Sequence, residues 1–271
     1  MDDTILTEAR LAAALGSRPL RFEVRAGSTN DVARAWANEG APSGAVVVAE
    51  EQHAGRGRFG RQWISPPGTA LLFSAILRPP QDLKHVARLT MAAAVSVAGV
   101  LEDLRPQRGE PVHLKWPNDV LIGAGKVAGI LSEALWQGDR LDAAIVGIGL
   151  NVRVSFEGLA LARTATSIES AFGVRVDRAR LLARLLAHLD DWAAQAGGPA
   201  LFDAWRARLS TLGQRVEVLT MDAADEGEQN RAIAGLAADV DADGALLLRA
   251  DDGTVHRIVA GDVTVTSQNA E

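Results

Sequence analysis

The chain has no cysteine in its 271 residues. Disulfides, thiolate nucleophiles and cysteine metal sites are therefore excluded. Lysine is almost missing too: of 28 basic residues only Lys84, Lys115 and Lys126 are lysine, and the others are arginine. The five histidines, His53, His85, His113, His188 and His256, show no metal-ligand spacing. No apolar run approaches the roughly 20 residues of a membrane span. Met1-Asp2-Asp3-Thr4 opens the chain without the basic and apolar stretches of a secretory signal. A cytoplasmic location away from membranes is expected. A net charge of −6 and a pI near 5.5 speak against nucleic acid as a partner. With 48% hydrophobic and 23% charged residues, the composition is that of an ordinary globular protein.

What is present is concentrated. Residues 55–61 read Gly-Arg-Gly-Arg-Phe-Gly-Arg, followed by Gln62 and Trp63. Glycine lets the backbone approach a ligand closely, and arginine offers a permanent charge with a planar fork of donors for phosphate or carboxylate. Gly55, Gly57 and Gly60 satisfy G-x-G-x-x-G, but a dinucleotide site needs those glycines between a strand and a helix. Here the apolar run Ala45–Ala49 precedes the loop. Pro66, Pro67 and the strand-like Ala70–Leu77 follow it. A kinase reading fails because no His-Arg-Asp or Asp-Phe-Gly segment exists, and Gly125-Lys126 lacks the Ser or Thr of a Walker A loop. Two of the three lysines fall in the next dense stretch, Lys115-Trp116-Pro117-Asn118-Asp119 through Lys126 to Leu131. A compact ammonium is not interchangeable with a guanidinium, so lysine here hints at point-charge roles.

Periodicity predicts helices over Leu6–Leu15, Asp31–Ala37, Lys84–Leu104, Ser167–Phe172, Asp177–Ala196 and Ala200–Leu212. Strands are expected at Leu20–Val24, Val46–Val48, Leu71–Leu77, Val112–Trp116, Asp119–Ile122, Gly129–Trp136 and Asp142–Val152. The last of these carries Gly147-Ile148-Gly149-Leu150-Asn151. Glycine weakens a strand unless something packs there, so Gly147 and Gly149 suggest a close approach. Beyond Gly213 the pattern changes to short strands at Val216–Leu219, Ala232–Asp239, Ala245–Arg249, Val255–Ile258 and Val263–Thr266. Asp243-Gly244 and Asp252-Gly253 mark tight turns between them, which suggests a small barrel. The expected division is 1–212 and 213–271, and Asp222–Glu228 reads as a solvated acidic loop.

Together, Ser28-Thr29-Asn30, Gln52, the glycine-arginine loop with Trp63, Lys115–Asp119, Lys126 with Gly129-Ile130-Leu131, and Gly147–Asn151 resemble the biotin protein ligase family. The resemblance runs from about residue 20 to the C-terminus. It implies an α/β catalytic domain, with helices on a mixed sheet, followed by an SH3-like barrel. It implies ATP-dependent, Mg²⁺-assisted formation of biotinyl-5′-AMP. Transfer to a lysine of a biotin carboxyl carrier protein or domain then follows. No tightly bound prosthetic group is implied. Ser28, Thr29, Asn30 and Gln52 would bind biotin, although Ser28 or Asn30 could instead serve as a helix cap. Gly55, Arg56, Gly57 and Arg58 would close over biotin and the adenylate, and Gly129 and Gly149 would admit close backbone approach. Arg61, Lys115, Asn118 and Asn151 would contact ATP. Trp63 would stack on adenine or pack in the core. Lys126 would neutralise the biotin carboxylate and the α-phosphate as they meet, with Arg58 and Lys115 as further catalytic cations. Asp119 would help place Mg²⁺. Phe59 stands where the family often carries a basic residue.

Other readings fit these residues less well. Octanoyl transferases use a cysteine that this chain lacks, and lipoate ligases usually carry a different arginine-glycine motif. A ligand-responsive DNA-binding regulator needs a helix-turn-helix, for which about twenty residues before the first strand are too few. A non-catalytic interaction module would not concentrate polar residues so tightly. The short N-terminal stretch leads to the expectation of a monofunctional ligase. Family members often dimerise through their sheets, and the sequence leaves monomer against homodimer open.

Overall fold

The computed structural model describes residues 5–78, 86–221 and 230–266. Lys84, His85 and the acidic run at 222–228 lie outside them. Helix α1 (Glu8–Leu15) is followed by β1 (Leu20–Ala26), α2 (Thr29–Asn38), β2 (Val46–Gln52) and β3 (Ala70–Leu77). Then come α3 (Ala87–Leu104), β4 (Val112–Lys115), β5 (Asp119–Ile122), β6 (Gly125–Gln137) and β7 (Arg140–Asn151). Three helices, α4 (Ile168–Phe172), α5 (Arg178–Ala194) and α6 (Pro199–Arg206), precede β8 (Arg215–Met221), β9 (Asn230–Val240), β10 (Leu246–Arg249), β11 (Val255–Ile258) and β12 (Asp262–Val265).

The first seven strands form one mixed sheet in the order β1-β2-β3-β7-β6-β5-β4. Only β1 and β2 pair in parallel; the remaining neighbours are antiparallel. Successive side chains of a strand face opposite ways, so each strand divides its residues between two layers. Leu71, Phe73, Ala75 and Leu77 of β3 join the main core with α3 and α5. Ile76 faces the other layer, where α2 lays Ala33 and Ala37 against Val47 and Ile145. The last five strands form an antiparallel sheet in the order β11-β10-β9-β8-β12, as a small SH3-like domain would have. Its Val216, Val218, Leu246 and Ile258 belong to the same core as α3. Trp116, fully buried at the end of β4, donates its indole N–H to Gly244 O at 2.8 Å and so joins the two sheets.

Several boundaries differ from the sequence reading. The first helix starts at Glu8 rather than Leu6, because Thr7 caps it and Leu6 N donates to the Glu50 carboxylate at 3.0 Å. The helix expected to reach Leu212 stops at Arg206. Its continuation turns to serve the edge of β4: Leu114 N donates to Arg208 O, Ser210 N to Leu114 O, and Trp116 N to Thr211 Oγ1. An open strand edge needs partners for its backbone groups, and that demand outweighs helical periodicity. Strand β6 begins four residues before the expected strand, and β7 begins two before it and ends at Asn151, one short of Val152, the two pairing as a hairpin through Gly138.

Two carboxylates hold local structure and carry a pH dependence. Asp177 caps α5 by accepting from Ala179 N and Arg180 N, and pairs with Arg10. Asp241 accepts from Asp243 N and Ala245 N in the β9–β10 turn and pairs with Arg257. Burial alone raises both pKa values, but these N–H groups and arginines outweigh it and hold both below the ordinary aspartate range. A depressed carboxylate stabilises the fold above its unfolded pKa, and that stability is lost as pH falls through the folded value. The thermal midpoint is therefore expected to fall as pH drops below about 4, and Asp241→Asn should flatten part of that slope. Calorimetry across this range checks it; a midpoint independent of pH would contradict the assignment.

Candidate active site

The site lies where one face of the main sheet runs out of side chains. Register places Leu72, Gly149, Gly129 and Asp119 in one row across β3, β7, β6 and β5. Ser74, Gly147 and Leu131 form the next row, and Ile76, Ile145 and Glu133 the one beyond. Helix α2 covers the isoleucine end. Over the glycines a cleft of about 470 Å³ opens. Its walls are the start of α2, the end of β2, the glycine-arginine loop, the β4–β5 turn and the segment Phe156–Ala165. Gly261 and Asp262 of the second sheet complete them.

The glycines are required by what sits on them. A Cβ on Gly147 would stand 2.1 Å from Asn30 Oδ1, and one on Gly149 would stand 2.6 Å from the Trp63 ring. A Cβ on Gly129 would meet Trp63 at 3.0 Å and the Lys126 ammonium at 3.3 Å. Trp63 is half-buried over this floor beside Ala70, Leu72, Val154 and Phe156, with the Lys126 ammonium 5.7 Å from its ring centre. Core packing and cleft lining are thus the same position for Trp63.

One end of the cleft has an uncharged polar floor, with Arg56 at its rim held by Asp31 and Glu133. Ser28 occupies the N-cap position of α2 but makes no side-chain cap bond, so the capping alternative does not hold for it. Thr29 N and Thr29 Oγ1 lie 2.6 Å and 3.0 Å from Gln52 Oε1. Asn30 does not cap either; its amide donates to Leu131 O at 3.2 Å. Ser74 Oγ sits 2.7 Å from both Thr29 Oγ1 and Asn30 Oδ1.

The other end is cationic. Lys126 Nζ pairs with Asp119 Oδ1 at 2.6 Å. Lys115 lies opposite Asp119 in the β4–β5 register and lines the cleft. Arg58 forms no ion pair with a described residue. Burial, its largest influence, lowers its guanidinium pKa, opposed by the charges of Asp119 and Asp262. Arg56 pairs with Asp31 at 2.6 Å and Glu133 at 3.3 Å, while Arg61 pairs with Asp262 across the two sheets. Asn118 and Asn151, which line the cleft, donate through their amide nitrogens to Ile130 O at 2.6 Å and Thr166 O at 3.1 Å. Among the described residues no three His, Asp or Glu gather to hold a metal.

The loop is a strand–loop–strand connection, as its prolines require: Gly57 N donates to Arg61 O at 2.7 Å, Trp63 N to Gly55 O at 3.0 Å, and β2 and β3 are antiparallel. Phe59 at its tip has φ 55, a left-handed conformation uncommon for an aromatic residue, and its ring lies 5.1 Å from the Arg58 guanidinium. Gly57 lines the cleft, but Gly55 does not. Gly55 is buried where a Cβ would stand 2.5 Å from Trp63 O, so its smallness serves loop closure rather than ligand contact. His53 is exposed and lies outside the lining.

Four residues escaped the sequence reading. Ser74 had a signal, as the lone polar residue of an apolar strand. Asp262 had none, since nothing local links it to Arg61. Glu133 and Asp31, which hold Arg56, belonged only to a strand and a helix, and nothing local links them to Arg56.

Residues 23–151 match the biotin/lipoate A/B protein ligase family, and residues 211–265 match the biotin protein ligase C-terminal domain. The chain is 34% identical over 267 residues to a biotin–[acetyl-CoA-carboxylase] ligase of Mycobacterium tuberculosis, covering 97% of this chain and 95% of that protein. The biotin protein ligase of Aquifex aeolicus, solved with biotin and ATP, superposes with a TM-score of 0.73 at 27% identity, over 92% of this chain and 98% of that one. That of Leishmania major, solved with biotinyl-5-AMP, gives 0.59 at 28%, over 89% and 99%. The chain belongs to the biotin protein ligase family.

The glycine floor makes a direct prediction. Gly147→Ala and Gly149→Ala should each destabilise the protein by about 1–3 kcal/mol, because Asn30 or Trp63 must move off the sheet. Urea unfolding measures this; a loss near zero in both variants would show that the floor has room the geometry denies.

Proposed function

We propose that the chain is an ATP-dependent biotin protein ligase. It would join biotin to ATP as biotinyl-5′-AMP with release of pyrophosphate, then pass the biotinyl group to a lysine of a biotin carboxyl carrier protein or domain. The observation that carries this is a cleft with two unlike ends on one glycine floor. Thr29, Asn30 and Gln52 offer uncharged hydrogen bonding at one end, and Arg58, Lys115 and Lys126 gather charge at the other. Biotin has the matching form, a polar ureido ring and a carboxylate tail.

In the first step a biotin carboxylate oxygen attacks the α-phosphorus, and the bond to pyrophosphate breaks. Two anions must meet, so the protein's work is positioning and charge neutralisation. We assign that to Lys126, with Arg58 and Lys115 on the phosphates and Arg61, Asn118 and Asn151 beside them. In the second step the carrier's ε-amine attacks the acyl carbon, AMP leaves, and the amine proton is released. No protein nucleophile is required. Mg²⁺ takes few protein ligands when phosphates supply oxygens. Asp119, which lines the cleft, fits as one carboxylate for a metal carried by the nucleotide, and it would have to yield part of its pairing with Lys126. Trp63 has the Gly129–Gly149 floor beneath its ring, so any stacking on adenine uses what remains exposed. We place the domain boundary at residue 212 and expect a cytoplasmic enzyme.

Lipoate is the natural competitor within the wider family. Its dithiolane ring offers few hydrogen bonds, and it would leave Thr29 and Gln52 with unmet polar groups, a costly mismatch in a closed site.

Biotin-dependent exchange of pyrophosphate into ATP tests the reading, with lipoate and octanoate in parallel; exchange with lipoate in preference to biotin would overturn the substrate. Lys126→Ala should lower the exchange rate by about 100-fold or more. A change of only a few-fold would remove Lys126 from its assigned role. Arg58→Gly should release biotinyl-AMP faster, read as a raised dissociation rate of the intermediate; an unchanged rate would show that the loop does not hold it.

A further inference from the structure

Ser74 is fully buried and lies behind the cleft, not on it. No step of the reaction calls for it, yet the polarity of the binding end turns on where its hydrogen goes. Its Oγ is 2.7 Å from Thr29 Oγ1 and 2.7 Å from Asn30 Oδ1, and a serine hydroxyl has one hydrogen to give. Neither neighbouring amide can be turned over. Asn30 Nδ2 donates to Leu131 O at 3.2 Å, so the oxygen of Asn30 must face Ser74. Gln52 Oε1 accepts Thr29 N–H at 2.6 Å, so the amide nitrogen of Gln52 is left to donate elsewhere.

With Ser74 donating to Asn30 and Thr29 to Gln52, the two hydroxyl oxygens would stand 2.7 Å apart with no hydrogen between them, which is repulsive, so two arrangements of the hydroxyl hydrogens remain. In one, Ser74 donates to Thr29 and Thr29 donates to Gln52 Oε1, which orphans the buried oxygen of Asn30. In the other, Ser74 donates to Asn30 and Thr29 donates to Ser74. Gln52 Oε1 keeps the backbone N–H of Thr29, and every buried atom has a partner. Buried acceptors without donors are rare because they forfeit a hydrogen bond to water and gain none. The second arrangement therefore holds. It leaves Thr29 Oγ1 with lone pairs only toward the cleft. Gly147, opposite Ser74 in the β3–β7 register, supplies the space that lets Asn30 reach into this chain of bonds.

We propose that Ser74 is a positioning residue that sets ligand specificity. By giving its hydrogen to Asn30 and taking that of Thr29, it fixes Thr29 Oγ1 as an acceptor beside the donating amide of Gln52. Such a pair selects a ligand edge carrying an N–H next to a C=O, as a cyclic urea does. The inference rests on the reading of the chain as a biotin ligase.

The test compares wild type, Ser74→Ala and Ser74→Cys in pyrophosphate exchange with biotin and with its two cyclic carbamate analogues, in which one ring N–H is replaced by oxygen. Wild type should prefer biotin over the worse carbamate by about tenfold or more in kcat/KM. In Ser74→Ala the Thr29 hydrogen loses its Ser74 acceptor and is shared between Gln52 Oε1 and the ligand, so Thr29 Oγ1 is no longer fixed as an acceptor. The preference should fall about tenfold, through KM, with kcat for biotin nearly unchanged. Ser74→Cys keeps a weaker donor of similar shape and should fall between the two. Equal losses on biotin and carbamate in Ser74→Ala would indicate a merely structural serine and overturn the proposal. Should the alanine variant fail to fold, a cysteine variant with wild-type preference overturns it instead. Wild type inactive with biotin would overturn the ligase reading, and this inference with it, before any variant is compared.

Discussion

The structure depends on two missing side chains in the middle of β7. Gly147 and Gly149 leave bare backbone where Asn30 and Trp63 come down onto the sheet, and any Cβ there would overlap them. Asn30 carries the first turn of α2, and with it Thr29. Trp63 carries the return of the glycine-arginine loop. Both walls of the cleft therefore stand on the same few ångströms of strand. A strand normally loses stability through glycine, and here contact from above replaces the lost packing. The unbroken apolar residues on the opposite face of β7, Val146, Ile148 and Leu150, keep the strand anchored in the main core.

Charge is arranged around this floor so that most cations are already matched. Arg56 leans on Asp31 and Glu133, Arg61 on Asp262, and Lys126 on Asp119. The exposed pairs of Arg56 and Arg61 are worth about 0–1 kcal/mol each, so an incoming phosphate or carboxylate can displace them at small cost. The matching keeps a cluster of like charges from repelling itself when no anion is present. Arg58 differs. It is the loop arginine drawn furthest out of water, and its only close partner among the described residues is the Phe59 ring. An aromatic face stabilises a guanidinium without neutralising it. Phe59, in place of a basic residue, thus leaves Arg58 as a charge still available to a ligand.

Much of this was legible in the residues themselves. Glycines at 147 and 149 in an apolar strand announced a close approach, and prolines after the loop ruled out a helix there. Lysine kept at 115 and 126 in an arginine-rich chain pointed to the cationic end. These signals are local, and local chemistry survives folding. What stayed hidden depends on distant partners. The pairing of Arg61 with Asp262 spans the two sheets, and no spacing rule reports it. Residues 207–212 kept a helical pattern yet became the partner of the β4 edge, a demand made by a strand almost a hundred residues earlier. Gly55 looked like a ligand contact because it belongs to the motif, but the backbone of Trp63 needs its space.

The back of the site is built on a different principle from the front. Arg178, 1% exposed, donates to both oxygens of Glu50, at 2.7 Å and 3.0 Å, and to Ala70 O at 2.7 Å. Glu50 also accepts Leu6 N. One guanidinium thus ties the first turn of α5 to the end of β2 and the start of β3, and its carboxylate partner holds the segment before α1. Replacing such a buried pair with apolar residues is often neutral for stability, so its benefit here is geometric. Glu50 stands two residues before Gln52, and the loop departs from that same strand end. Removing either partner would leave a buried charge unmatched, at about 3–5 kcal/mol, so this junction does not open in ordinary fluctuations. The exposed pairs in front yield for far less. A binding end held rigid from behind, and a charged end that gives way in front, let one cleft fix the head of a ligand while its reacting groups are brought together.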